Sequence, residues 1–321
     1  MKMLKKLCSV VMSIVLICTL FACSSSNVSS GSSDSANKKF KIGTIQLIQH
    51  EALDASRRGF EDYLRENNVN FEVDFQNAAG EQSNCNTIAE KFANGNYDLC
   101  YAIATPAAQA AKAKMDTVPI IASAVTDPEA SQLCKSNKKP GGNLTAASDL
   151  TPVEAQFDLL VELLPDAKRV GILYCSAEAN SKIQANMALD AAKKRNLEAK
   201  EFTVVTTNDI QTVVESMLDK VDVIYVPTDN IVSAGFDLVA TICLDNKMPT
   251  IVGEEAMVDK GGLATYGIDY YSLGKLAGEL AKEVLVNGAN PGDLPVKYLD
   301  ADSCKRKINS KTAEALGINV K

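Results

Sequence analysis

Thr105 and Pro106 follow directly on the apolar run DLCYAIA (98–104). A hydroxyl residue followed by proline opens a helix, with Thr105 as its cap and Pro106 at its first position. The free N–H groups of such a turn, Ala107 among them, combine with the helix dipole to suit a carboxylate or another anion. Asp229 is the complementary candidate. It stands in Pro227-Thr228-Asp229-Asn230, after the run VDVIYV (221–226). Its carboxylate either pairs with a ligand ammonium or caps the helix that follows. Further polar groups sit where other apolar runs end. These are Gln46 and His50 after KIGTIQL, Ala124 and Thr126 at the end of PIIASAVT, and Glu178, Asn180 and Ser181 after RVGILYC. Asn230 and Glu254 close two more runs, and Tyr266 and Asp269 stand at a chain crossing. Thr126 offers a hydroxyl and Ala124 a carbonyl. Tyr266, with Tyr270 or Tyr271, either stacks on a ligand ring or packs.

Catalysis finds little support. The chain has one histidine, so any Ser/His/Asp triad must use His50. A residue there belongs either to the lip of a cleft or to an exposed loop. G-x-S-x-G, Walker A and H-E-x-x-H patterns are absent, and Gly43 stands alone after the first run instead of opening a dinucleotide fingerprint. No cofactor and no metal is expected, and the protein reads as a non-enzyme.

The elements that must position these residues alternate. Strands are expected at 41–47, 71–76, 98–104 and 119–124, separated by helices at 52–67, 82–94 and 107–114. The order then restarts, with strands at 169–174, 198–205, 221–226, 249–253 and 262–266. Helices are expected at 152–163, 180–195, 207–218, 230–246 and 271–287. Repeated βα units mean a parallel sheet covered on both faces, so the fold class is α/β with two Rossmann-like lobes. Ligands of such sheets bind beyond the carboxyl ends of the strands, which is where the polar residues above fall. Crossings near 143–151 and 266–271, with a third near 291–299, divide the chain. The first lobe takes residues 40–147 plus 268–290 and the second 148–267 plus 291–321. Several crossings make a hinge that permits closure.

The N-terminus has a different character. Lys2, Lys5 and Lys6 precede an apolar run from Leu7 to Leu20, and Leu20-Phe21-Ala22-Cys23 follows. The pattern is that of a secretory signal over residues 1–22, ending like a bacterial lipobox with Cys23 as the acylated residue. Residues 23–39 are Ser-rich and read as a flexible tether. The net charge of -7 argues against a nucleic-acid partner. Six cysteines remain beyond Cys23, none in C-x-x-C spacing; mostly free thiols are expected, with disulfides in an exported protein as the alternative.

The stretches KIGTIQLIQHEALDASRRGFEDYL, ATPAAQAA, SAVTDPEAS, KPGGNLTAASDLTPVEAQFDLL, VGILYCSAEANS, VDVIYVPTDNIV and GLATYGIDYYSLG resemble the substrate-binding lipoproteins of ABC transporters. Their architecture is the type I periplasmic-binding-protein fold, and the nearest branch is the tryptophan/tyrosine type. The resemblance implies a monomeric receptor, held by lipid at the outer face of the cytoplasmic membrane. It closes on a small solute, an aromatic amino acid such as tryptophan, tyrosine or phenylalanine, and hands it to a permease with its ATPase subunits. It further implies that Thr105 to Ala107, Ala124 and Thr126 hold a ligand carboxylate, and that Asp229 holds the amine. A sugar, a nucleoside or another metabolite as solute, a sensor role, or a hydrolase using His50 remain alternatives.

Overall fold

Strands sandwiched between helices must be apolar on both faces, and LCYAI, IIAS and VIYV are buried at every position. In the computed structural model, which describes residues 38–320, these runs become the inner strands of two sheets. The expected leader, Cys23 and the tether up to residue 37 lie outside the described residues.

The first lobe begins with β1 (Phe40–Gln46), α1 (Glu51–Glu66), β2 (Phe71–Asn77), α2 (Gln82–Ala93) and β3 (Leu99–Ile103). It continues with α3 (Thr105–Lys114), β4 (Ile120–Ser123) and β5 (Leu144–Ser148). The second lobe holds α4 (Val153–Leu163), β6 (Arg169–Cys175), α5 (Ala179–Lys194), β7 (Glu198–Val204), α6 (Ile210–Glu215) and β8 (Val223–Val226). It goes on through α7 (Asn230–Ala234), α8 (Phe236–Asp245), β9 (Thr250–Val252), α9 (Glu255–Asp259) and β10 (Ala264–Gly267). The chain then returns to the first lobe with α10 (Tyr270–Leu285) and β11 (Lys297–Tyr298). It ends in the second with β12 (Lys305–Ile308) and α11 (Ser310–Leu316).

One sheet runs β2-β1-β3-β4-β5-β11, all parallel. The other runs β7-β6-β8-β9-β10-β12, parallel except for β12. The α/β class with two Rossmann-like lobes is therefore observed. The expected last boundary needs correction. Lys297 and Tyr298 pair with Ala147 and Ser148 in the first sheet, so the final crossing follows β11 and does not fall at residue 291. A two-residue strand has no periodicity to read. The helix expected over 230–246 is also interrupted at Gly235, where a Cβ would stand 2.4 Å from Ile210 Cδ1.

Helix α10 is anchored to the first lobe by backbone contact with α1. The apolar stripe of α1, Leu53, Phe60 and Leu64, has helical spacing. Glycines let the two helices meet without side chains between them. A Cβ on Gly59 would lie 2.0 Å from the Tyr271 carbonyl oxygen, and one on Gly274 would lie 1.9 Å from that of Ser56. Gly274→Ala must push α10 off α1, a cost of about 1–3 kcal/mol for overpacking. Urea unfolding should show a midpoint lowered accordingly, and an unchanged midpoint would mean that the helix spacing is not set by these glycines.

Candidate functional site

The carboxyl ends of the two sheets meet. His50, after β1, places Nε2 3.3 Å from Asn230 Oδ1 and Nδ1 3.4 Å from Ser233 Oγ, both on α7 of the other lobe. Gln184 on α5 donates across the cleft to Thr126 Oγ1 at 3.0 Å. Ile48 packs against the cores of both lobes. The structure is the closed arrangement of a two-lobed cleft.

The wall from the first lobe is built on unusual backbone. Ala104 has φ 83° and Ala124 φ 54°, a left-handed region that disfavours side chains with a Cβ and gathers at functional sites. Both alanines are buried at strand ends. The turn at Ala104 makes that residue the cap of α3, so Thr105 lies inside the first turn and does not cap it, contrary to the sequence expectation. Its hydroxyl is buried without a partner, as is Gln46 Oε1. The Gln46 amide nitrogen is occupied, donating to Asp54 Oδ1 at 2.8 Å and to the Ile48 carbonyl at 3.0 Å. Pro106 and Ala107 are buried beside Thr105.

The wall from the second lobe is acidic. Glu178 Oε1 accepts from the Ile231 amide at 3.1 Å, and Oε2 accepts from the side chains of Asn180 and Asn230. Asn180 also reaches Ser181 Oγ at 3.2 Å, while its own Oδ1 is buried and unpartnered. Asp229 accepts from the amides of Val232 at 2.8 Å and Cys175 at 2.5 Å. It is thus the N-cap of α7 and also ties α7 to β6. Glu254 Oε1 and Ser233 Oγ are hydrogen-bonded to each other.

Toward the hinge stand residues the sequence reading missed. Asp149, in the first crossing, accepts from Tyr270 Oη at 2.8 Å and from Thr126 Oγ1 at 3.2 Å. Thr126 therefore has its hydroxyl in a hinge network with Asp149 and Gln184. Asp149 could have been found, because it directly follows the apolar run LTAAS. Gln184 carried a subtler signal, a polar amide on the buried Ala-rich face of α5 that also holds Asn180 and Ser181. Two expected site residues fall elsewhere. Tyr266 packs against the core of the second lobe, because β12 pairs with β10 along its length. Asp269 is exposed and caps α10 through the amides of Tyr271 and Ser272.

Burial drives the electrostatics. Desolvation raises the carboxyl of Asp149 to about 6 and that of Glu254 to about 7. It also raises Glu178 and Asp229, and Asp229's charge pushes Glu178 higher still. The same desolvation lowers His50 to about 4, with Lys260 adding to the effect. The closed cleft thus holds four buried carboxyl groups and an imidazole that burial keeps neutral. At the cleft mouth, on the β2 and β7 side, a cavity of about 150 Å³ lies between Leu47, Gln82 and Pro106 on one lobe and Cys175, Glu178 and Ile231 on the other. All six described cysteines are free thiols, and Cys175 is pushed up to about 12 by burial.

Residues 41–321 match the sequence profile of the ABC transporter substrate binding proteins. The chain belongs to that family. It is 40% identical to the tyrosine-binding protein of Clostridioides difficile (strain R20291), over 97% of this chain and 92% of the relative. Among solved structures it resembles a domain from Streptococcus pneumoniae in complex with L-Trp. That match has a TM-score of 0.85 and 38% identity, over 88% of this chain and 96% of the other. A ligand-free, open substrate-binding protein from Clostridium difficile shares 39% identity over the same proportions, yet its TM-score is 0.66. The better superposition is thus with the L-Trp complex rather than with the open structure.

Two expectations follow. Asp229→Asn replaces an acceptor by an amide that cannot satisfy both the Cys175 and Val232 N–H groups, so it should destabilise the ligand-free protein by about 1–3 kcal/mol. Unchanged thermal unfolding would refute that structural role. A carboxyl raised on closure favours the closed form while it is protonated, and Glu254 loses that contribution as pH rises through about 7. His50 acts in the opposite sense only below its ordinary 6.5. Small-angle scattering of ligand-free protein should therefore show a smaller closed fraction at about pH 8.5 than at about pH 6.5, and the reverse trend would contradict the sign.

Proposed function

We propose that this protein is the lipid-anchored receptor of an ABC importer for an aromatic L-amino acid, tyrosine or tryptophan, which it captures outside the cytoplasmic membrane by lobe closure. The observation that carries the reading is the closed cleft itself. It buries Asp149, Glu178, Asp229 and Glu254 together, and it leaves Gln46 Oε1, Thr105 Oγ1 and Asn180 Oδ1 without partners. Buried charges and orphaned polar atoms are costly unless something pairs with them. A zwitterion supplies both kinds of partner. Its ammonium neutralises the acidic wall, and its carboxylate takes the Thr105 hydroxyl and the amides of the α3 turn. The 40% identical tyrosine-binding relative and the similar L-Trp complex narrow the amino acid to the aromatic class. The expected lipid on Cys23 and the tether after it would hold the receptor beside its permease.

The chain contains no tryptophan, so indole emission reports ligand alone. Titrating L-tryptophan into residues 38–321 should give a saturable, polarised indole signal, and L-tyrosine should compete with it. A thermal-shift panel of amino acids, sugars and nucleosides runs in parallel, because a ligand at 100 times its Kd stabilises by about 2.7 kcal/mol. Stabilisation by a sugar or nucleoside, with no indole signal and no shift from tyrosine, would overturn the reading. Thr105→Val should weaken amino-acid binding by about 1.5–3 kcal/mol, the range for a hydrogen bond to a charged group. An unaltered Kd would remove Thr105 from the carboxylate site.

A further inference from the structure

His50 occupies the position before α1 where a side chain ordinarily caps a helix, yet it makes no capping bond. Its ring is turned to the other lobe. Nε2 faces Asn230 Oδ1 at 3.3 Å and Nδ1 faces Ser233 Oγ at 3.4 Å. Asn230 continues to Glu178 Oε2, and Ser233 continues to Glu254 Oε1. The imidazole is buried, and both of its ring nitrogens are directed at the second lobe. We propose that His50 is an interlobe latch, which joins the second lobe only on closure and does so as a neutral imidazole wired through Ser233 to Glu254.

The donor and acceptor pattern fits a neutral ring when Glu254 carries a proton and donates to Ser233 Oγ. Asn230 Oδ1 is an acceptor, so Nε2 carries the hydrogen. Nδ1 is then an acceptor and takes the Ser233 hydroxyl proton. Ser233 Oγ must in turn accept, and the group beside it is Glu254, which closure keeps protonated to about pH 7. The chain reads Glu254 to Ser233 to His50 to Asn230 to Glu178, each link one donor and one acceptor. The groups facing His50 agree with this. Lys260 and desolvation disfavour the imidazolium, Asn230 and Asp54 favour it, and the net effect holds the ring neutral down to about pH 4.

In the open form, where the ring regains water, His50 returns to its ordinary value near 6.5 and Glu254 to the ordinary carboxylate range. Closing at a pH between those values moves one proton without exchange with solvent. The Nδ1–H bond breaks as its proton passes to Ser233 Oγ, and the hydroxyl's own proton passes to Glu254 Oε1. An imidazolium and a carboxylate become an imidazole and a carboxylic acid. Below about pH 6.5, a His50 that failed to lose its proton would hold the cleft open.

The inference rests on the amino-acid reading only for the choice of probe. The sole histidine gives a single ring to follow by ¹⁵N NMR. The protein is titrated with pH, free and saturated with whichever of the twenty standard amino acids raises its melting temperature most. The free ring should protonate near its ordinary value. The saturated ring should stay a neutral Nε2–H tautomer at about pH 5.5. A saturated ring that still protonates near 6.5 overturns the latch, whereas a non-aromatic amino acid winning the panel overturns only the solute reading. In stopped flow, His50→Ala should raise koff about tenfold and leave kon nearly unchanged, as expected for a contact formed after encounter. Its ligand-free melting temperature should stay put. His50→Gln, which keeps one donor and one acceptor, should recover part of the dwell time without the acid dependence. A lowered ligand-free melting temperature with unchanged koff would assign His50 a purely structural role.

Discussion

Moving a carboxylate out of water is expensive unless a positive group meets it. This protein holds four of them buried in its closed cleft, three on the second lobe and Asp149 in the first crossing. Asp149, Glu178, Asp229 and Glu254 are each at most 5% exposed, and each is held above the ordinary carboxylate range by that burial. Their hydrogen bonds come from amides, hydroxyls and carboxamides, which satisfy lone pairs without supplying a charge. The closed state is therefore incomplete on its own. On the proposed reading a ligand that brings a cation completes it, and a population shift toward closure follows from that differential affinity.

The rest of the architecture serves this arrangement. Two parallel sheets present their carboxyl ends to a shared cleft, and three chain crossings on one side let the lobes swing. The crossings are not passive. Asp149 sits in one, Tyr270 opens the helix after another, and both join Thr126 and, through it, Gln184. The cleft and the hinge thus share one hydrogen-bonded network. Helix α10 fixes the hinge to the first lobe through glycine contacts that leave no slack.

Much of this was legible in the sequence. The βα alternation gave both lobes, because strands covered on two faces must be continuous apolar runs. The rule that polar residues after such runs point to the cleft picked out His50, whose ring meets the second lobe, and Glu178, which borders the cavity between the lobes. It failed at Tyr266 and Asp269 because β10 lies beside the antiparallel β12 at the hinge edge, where a strand end leads away from the cleft. Asp229 showed both a capping role and a place on the acidic wall, which local sequence could not separate. β11 was invisible, since two residues carry no pattern. Gln184 and Ser233 were missed because they lie within helices, where no strand-end rule applies. The two interlobe contacts of His50 depend on the closed geometry, which no local pattern encodes.

The central claim is that a ligand ammonium is what permits closure over the acidic wall. The direct measurement is small-angle scattering of residues 38–321 at neutral pH with saturating L-tryptophan, compared with indole-3-propionate, which keeps the ring and the carboxylate and lacks the ammonium. The account predicts that the radius of gyration falls with L-tryptophan and not with indole-3-propionate at equal occupancy. Equal compaction by both would contradict it.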